Sequence, residues 1–342
     1  MIWRCPACRA QLAASDKSLE CLGCAAMYEV IDGIPDLRYP PCADSFVRDD
    51  NSMARGIAAD AAGKSDEELV RAFFSVREGT DGWSRYDTEV RTRQSLVAPA
   101  RLRVEIDGWL NTVTGQGTFL GLGCGLGGFL TAAGAAAKPG IGIDNRMSVL
   151  VVARRLIERG GGSATLACAN AEALPLADAG IRGVVMYDVV EHVERLERVL
   201  SELSRVIASG GAFACSTPNR FSIAPEPHVR VWGVGWLPRR YQNAYVKKIS
   251  GRDYSGTRLL SPSELDRLLR RYTQFDAEMR VPPIPNDDVA SSRGVRRAFA
   301  RVYNLVAGIS VARPILLLIG PFFQLVAVKR AESNRGGGRH GR

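Results

Sequence analysis

From residue 118 onward, short runs that are apolar at nearly every position alternate with longer segments whose apolar residues recur every three or four positions. The runs are Thr118–Leu122, Gly140–Asp144, Ala164–Cys168, Gly183–Tyr187, Ala212–Ser216 and Gln324–Lys329. A strand without alternation is buried on both faces, which is the condition inside a parallel sheet covered by helices. The pattern therefore predicts a doubly wound α/β core over residues 96–330. Helices are expected from Phe129 to Ala137, after Asp144 through Arg159, and after Ser261-Pro262-Ser263-Glu264, a capping-box start. Residues 39–95 are mixed, with a helical stretch from Asp66 to Glu78. They read as a linker and lid, with Trp83 and Tyr86 as candidate lining groups.

The first 38 residues follow another logic. Cys5-Pro6-Ala7-Cys8 and Cys21-Leu22-Gly23-Cys24 are two CxxC pairs, each able to present two sulfurs to one ion from a tight turn. Together they predict a closed tetrahedral S₄ site for structural Zn²⁺, with no open position for catalysis. Tyr28 to Leu37 reads as a strand and turn leaving this module. The stretch resembles the small zinc-ribbon proteins that activate methyltransferases, whose usual form is CPxC…CxxCxxxYPVxDGIPxL.

The chain has 342 residues, 46% hydrophobic and 24% charged, enough for one full core and a small accessory module. Net charge is +9, of which the last fourteen residues supply +4, so the basic balance argues weakly for nucleic acid. Residues 331–342 read as a disordered basic tail containing His340. Cys42, Cys124, Cys168 and Cys215 are scattered, which suits a reducing, cytoplasmic setting. No secretory signal is expected at MIWRCPACRA. Residues 282–320 form an apolar insertion with a Pro-rich lead-in (Pro282-Pro283-Ile284-Pro285). Val302–Gly320 is nearly continuous apolar sequence, preceded by Arg293, Arg296, Arg297 and Arg301. It reads chiefly as a helix pair sheltering the sheet edge. The sharper alternative is a peripheral membrane contact, or a roof over a lipid-like acceptor.

Chemistry concentrates at the strand ends. The first strand runs into Gly123-Cys124-Gly125-Leu126-Gly127-Gly128, and the second ends in Asp144, where a carboxylate can accept both hydroxyls of a ribose. Cys168-Ala169-Asn170-Ala171-Glu172 and Asp188-Val189-Val190-Glu191-His192-Val193 follow the next two strands, and Thr217-Pro218-Asn219-Arg220 the fifth. These ordered blocks resemble class I S-adenosylmethionine-dependent methyltransferases, most closely the ubiquinone-biosynthesis O-methyltransferases. The resemblance implies a seven-stranded Rossmann-like methyltransferase sheet and a cofactor site of Gly121, Gly123, Gly125, Gly127, Asp144, Asn145, Asn170, Ala171 and Asp188. Gly121 stands where the family has an acid, and Asn170 where Asp is commoner. The resemblance also implies a divalent cation such as Mg²⁺ on Asp188, Glu191 and His192, although adjacent residues at a helix start more often cap that helix.

His192 and His228 are the candidate general bases, since an imidazole near neutrality on the ligand side of the sheet suits proton removal. The aromatic and basic run Trp232 to Tyr241 is a candidate acceptor wall. The expected reaction is O-methylation of a small-molecule, glycan or lipid-linked acceptor. RNA methylation is disfavoured by the ribbon's charge, three cations against five acids between Met1 and Leu37. A scaffold that has lost catalysis is the third reading, suggested by Gly121. Acceptor atom and oligomeric state are not legible in the sequence.

Overall fold

The computed structural model describes residues 2–15, 17–40, 44–76, 78–79, 83–113, 117–134, 140–284, 286–292 and 294–331. Expectations placed on Cys42, Arg293, His340 and the tail beyond residue 331 lie outside the described residues. The N-terminal module is a four-stranded antiparallel sheet of β1 (Leu12–Ala14), β2 (Ser18–Cys21), β3 (Met27–Ile31) and β4 (Ile34–Pro35). Three helices follow: α1 (Asp44–Asp60), α2 (Asp66–Ser75) and α3 (Arg85–Val113). A capping box at Ser65 fixes the start of α2, with Glu68 reaching back to the Ser65 backbone. The long helix α3 runs straight through residues 95 and 96.

The core then alternates β5 (Phe119–Leu122), α4 (Gly128–Gly134), β6 (Gly140–Asp144), α5 (Met147–Arg159), β7 (Ala164–Cys168), β8 (Ile181–Tyr187), α6 (Leu196–Val206) and β9 (Ile207–Pro218). It ends with α7 (Arg239–Ser250), α8 (Pro262–Tyr272), β10 (Phe275–Arg280), α9 (Asn286–Ser291), α10 (Gly294–Ala307), α11 (Arg313–Ile319) and β11 (Phe322–Lys329). The seven-stranded sheet has the order β10-β11-β9-β8-β5-β6-β7, with β11 antiparallel to both neighbours and the other pairings parallel.

Each expected core strand is present. The seventh, β10, carries no apolar run: it is an edge strand with every second residue exposed, and its Asp276, Glu278 and Arg280 disguised it. Helix α4 is described from Gly128 to Gly134, residues 135–137 of its expected span lying outside the described residues, and α2 ends at Ser75 rather than Glu78. Packing follows the periodicity. In α6, Leu196, Val199, Leu200, Leu203 and Val206 form one buried stripe against the sheet. Each such buried aliphatic side chain contributes about 1.5–3 kcal/mol.

The N-terminal module is joined to the free edge of the large sheet. The Leu37 N–H donates to the Cys168 carbonyl at 2.7 Å, and Asp36 pairs with Cys168 in parallel register. Arg4 N–H reaches the Pro175 carbonyl at 2.9 Å. The apolar insertion departs from its main expectation. Ala300 and Tyr303 are buried, but Leu305 (72%) and Val311 (85%) stand largely in the open rather than sheltering the sheet.

Candidate functional site

Strand order reverses between β5 and β8, the first strands of the two halves of the sheet. The loops leaving their C-terminal ends diverge there and open a crevice. A cavity of about 610 Å³ lies at that point. Its walls include Leu122 and Gly123 from the β5 loop, Asp144 and Asn145 after β6, Asn170 and Ala171 after β7, and Asp188 and His192 after β8. Pro40 closes one side.

Asp144 organises the glycine loop. Its carboxylate accepts the Gly125 N–H at 3.0 Å and the Arg146 N–H at 3.1 Å. Burial pushes its carboxyl above the usual carboxylate range, opposed by these two donors and by the Arg146 charge. Gly123 has φ +63°, and a Cβ there would lie 2.3 Å from Val189 Cγ2, so only glycine lets the two diverging loops meet. Gly127 has φ +79° and abuts Ile157 of α5, a packing role rather than a cavity wall. Gly121 also stands back from the cavity: a Cβ there would touch Cys124, Phe129 and Leu130. The position expected to contact cofactor therefore faces an apolar corner. Trp83 and Tyr86 do not line the cavity either; Trp83 stacks on Phe74 and bonds Thr88, and Tyr86 is exposed.

A buried ionic cluster, invisible to local sequence reasoning, fixes the opposite wall. The Arg38 guanidinium donates to Asp36 at 2.5 and 2.8 Å, to Asp50 at 3.1 Å, to Asn51 at 2.7 Å and to the Asn145 carbonyl at 3.4 Å. Burial would raise the Asp36 carboxyl, but the Arg38 bonds and charge outweigh it and hold it below its ordinary value. Asp50 in turn accepts the backbone N–H groups of Met147 and Ser148, capping α5 from a distant helix. Asn170 donates to the Pro40 carbonyl at 2.9 Å. Thus the peptide that leaves the N-terminal module is stitched to the cavity on two sides.

Beyond the cavity, the structure brings the two histidines together. The Nε2 atoms of His192 and His228 are 3.1 Å apart, with ring planes at 89°. His228 Nδ1 lies 2.5 Å from Glu226 Oε1, and the other oxygen of Glu226 accepts the N–H groups of His228 and Val229. Nδ1 is therefore the protonated nitrogen of neutral His228, and Nε2 carries the lone pair. Burial would lower His228, but Glu226 outweighs it and raises the imidazole above its ordinary value. His192 is lowered, by burial and by the neighbouring His228. Glu226 is the residue that sequence reasoning missed; its only signal was lying two residues before His228.

Glu191, almost wholly buried, accepts from Thr217 through one oxygen, and its other oxygen, Oε1, has no hydrogen-bond partner among the described residues. Burial, reinforced by Asp188, pushes its carboxyl up to about 7. Glu191, His192 and His228 place one donor atom each within 4.8 Å of one another. Asp188, expected to join such a set, is not part of this cluster.

In the N-terminal module, the sulfurs of Cys5, Cys8, Cys21 and Cys24 also lie within 4.8 Å of one another. Cys5 and Cys24 are 3.7 Å apart and Cys8 and Cys21 3.3 Å, close to the roughly 3.8 Å edge of a tetrahedron with metal–sulfur bonds of about 2.3 Å. The N–H groups of Gly23 and Cys24 point at Cys21 Sγ. A cluster of four sulfurs, with no His, Asp or Glu joining it among the described residues, suits Zn²⁺.

Residues 120–215 match the family described as methyltransferase domain. A probable S-adenosylmethionine-dependent methyltransferase of Mycolicibacterium smegmatis is 33% identical over 103 residues, 30% of this chain and 38% of that protein. One of Mycobacterium tuberculosis is 40% identical over 57 residues, 17% and 21% of the two chains. The chain thus spans well under half the length of the curated relatives it matches. Among solved structures, Haemonchus contortus phosphoethanolamine N-methyltransferase 2 covers 79% of this chain and 61% of its own, with 12% identity and a TM-score of 0.49. Geranyl diphosphate C-methyltransferase of Streptomyces coelicolor covers 79% and 100%, with 14% identity and a TM-score of 0.45. The matched segment runs from β5 to β9, so the centre of the chain is similar to methyltransferase domains, including those of relatives named as S-adenosylmethionine-dependent.

Proposed function

We propose that this chain transfers a methyl group from S-adenosylmethionine to a hydroxyl oxygen of a small-molecule, glycan or lipid-linked acceptor. The observation that carries the reading is the cavity at the strand-order switch with Asp144 on its wall, where a ribose would meet a carboxylate already oriented by two N–H groups. When bound, the cofactor supplies a methyl group made electrophilic by its sulfonium. Asp144 would hold the ribose, Asn170 and the Ala171 backbone would meet the adenine, and Gly123 would let the backbone approach the methionine end. As the acceptor oxygen takes the methyl group and the cofactor leaves as a neutral thioether, the hydroxyl proton would pass to His228 Nε2. Glu226 stabilises the imidazolium through Nδ1–H. In the resting pair His192 Nε2 lies 3.1 Å from His228 Nε2, and it would give way to the acceptor hydroxyl before the proton moves.

The test is calorimetry with S-adenosylhomocysteine, followed by a labelled-methyl screen over phenols, sugars, lipids and RNA. Binding with labelled product on a hydroxyl supports the reading. Binding with product on RNA alone favours the RNA alternative, and absence of binding favours a scaffold. The cysteine set is read as a structural Zn²⁺ site of the ribbon.

A second reading of the histidine pair rests on the orphaned Oε1 of Glu191. With His192 and His228 it offers two imidazoles and a carboxylate to a divalent cation, Mg²⁺ or Zn²⁺ among them. A metal on Nε2 would take the lone pair that the base needs, so the two readings exclude each other. Elemental analysis decides: one zinc per chain accords with the base, and a second metal lost in His228→Ala accords with the cation.

A further inference from the structure

The apolar insertion and the loop after β9 form one continuous outer face. The Ile223 N–H bonds the carbonyl of Ile319 at the end of α11, and Asn219 bonds the carbonyls of Leu317 and Leu318. The indole N–H of Trp232 reaches the Ile223 carbonyl at 2.9 Å, and that of Trp236 the Ser222 carbonyl at 3.1 Å. Helix α7 abuts the same loop, with Tyr245 bonded to the Trp232 carbonyl. On these linked segments Leu305, Val311, Ile315 (60% exposed), Leu318 (59%), Trp232 (63%) and Trp236 (52%) present apolar surface to solvent.

The charge on its own elements is predominantly positive, with Glu278 beside Arg313 and Glu264 paired with Arg239 as neighbouring acids. Residues 294–319 contain four arginines and no Asp or Glu, and α7 contains two arginines, two lysines and no acid. No single helix among the described residues is long and apolar enough to cross a membrane; the α10–α11 pair bends by 107°. Short helices with a greasy side, flanking cations and indoles whose N–H groups are satisfied are the composition of a surface lying in the headgroup region. A second copy of the chain fits less well, because a self-complementary contact would bring two predominantly cationic faces together. RNA fits poorly too, since aliphatic side chains have nothing to offer phosphates.

We infer that this face docks on an anionic lipid bilayer. The Glu226–His228 pair sits on the segment between Ile223 and Trp232, so docking brings the methyl-transfer site to the interface. Resting on the function proposed above, this makes the acceptor a membrane-resident amphiphile whose hydroxyl lies at headgroup depth.

The experiment is co-sedimentation of the full chain with vesicles of phosphatidylcholine alone and of phosphatidylcholine mixed equally with phosphatidylglycerol. Binding to the mixed vesicles about tenfold stronger or more, weakened by salt, is expected. The double variant Leu305→Glu, Ile315→Glu should lose it by at least about tenfold, with its S-adenosylhomocysteine affinity and melting temperature intact. Equal binding to both vesicle types, binding unchanged in the double variant, or a dimer in sedimentation velocity that the double variant dissociates would each overturn the inference. If vesicles are not bound while S-adenosylhomocysteine still is, the docking fails and the cofactor reading stands.

Discussion

Arg38 is the most informative single residue to remove. Its side chain is 2% exposed and that of Asp50 is 3%. Replacing it with Met keeps the volume but strands two buried carboxylates and Asn51 without their common donor. Breaking a buried ion pair from one side costs about 3–5 kcal/mol, because the surviving charge keeps its desolvation penalty. At roughly 2–4 °C per kcal/mol for a domain of this class, Arg38→Met should melt about 6–20 °C below the parent. Arg38 also bonds the Asn145 carbonyl beside the cavity, so S-adenosylhomocysteine affinity should fall by about tenfold, roughly 1.4 kcal/mol. Differential scanning calorimetry and titration calorimetry read the two effects. Adding Asp36→Asn and Asp50→Asn to Arg38→Met should recover part of the lost stability, since no buried charge then lacks a partner. A single variant that melts within about 2 °C of the parent would refute the claim that the cluster holds the N-terminal module against the cavity wall.

Other outcomes follow from the same geometry. Asp144→Ala should weaken S-adenosylhomocysteine binding at least about tenfold, measured by calorimetry; an unchanged constant removes the ribose role. Only three histidines are present, so imidazole NMR can follow each through a pH titration. Glu226 raises His228, so Glu226→Gln should move the His228 midpoint to lower pH and widen the range in which the neutral base exists; a midpoint that stays put contradicts the dyad. If the cysteine cluster holds zinc as proposed, a chelator should lower both the melting temperature and S-adenosylhomocysteine affinity, because β4 runs directly into Asp36 and Arg38. Melting that drops while affinity holds would show that the ribbon's order stops short of the cavity.

Much of the core was legible because its strands are buried on both faces. Such strands must be apolar throughout, and Phe119–Leu122 or Gly140–Asp144 announce themselves by composition alone. The edge strand β10 escapes that rule because one of its faces meets water. Of the candidate site residues, Asp144, Asn145, Asn170 and Asp188 do line the cavity at the strand-order switch, held there by strand ends and local turns. Gly121 shows where motif matching outruns geometry: the backbone turns its Cα hydrogens into an apolar corner. The Arg38 cluster and the Glu226–His228–His192 chain were not legible as units. Arg38 meets a residue 107 positions away and the two imidazoles are 36 apart, distances at which spacing carries no signal. The apolar insertion was visible as composition, but which way its side chains face is set by tertiary packing.

The central claim is that the crevice between the diverging β5 and β8 loops grips the adenosyl group. A crystal structure of the full chain grown with S-adenosylhomocysteine tests it most directly. The ribose hydroxyls should lie within hydrogen-bond distance of the Asp144 carboxylate, with the adenine beside Asn170 and Ala171. Density for the ligand elsewhere, or a crevice that stays empty at saturating ligand, would contradict the account.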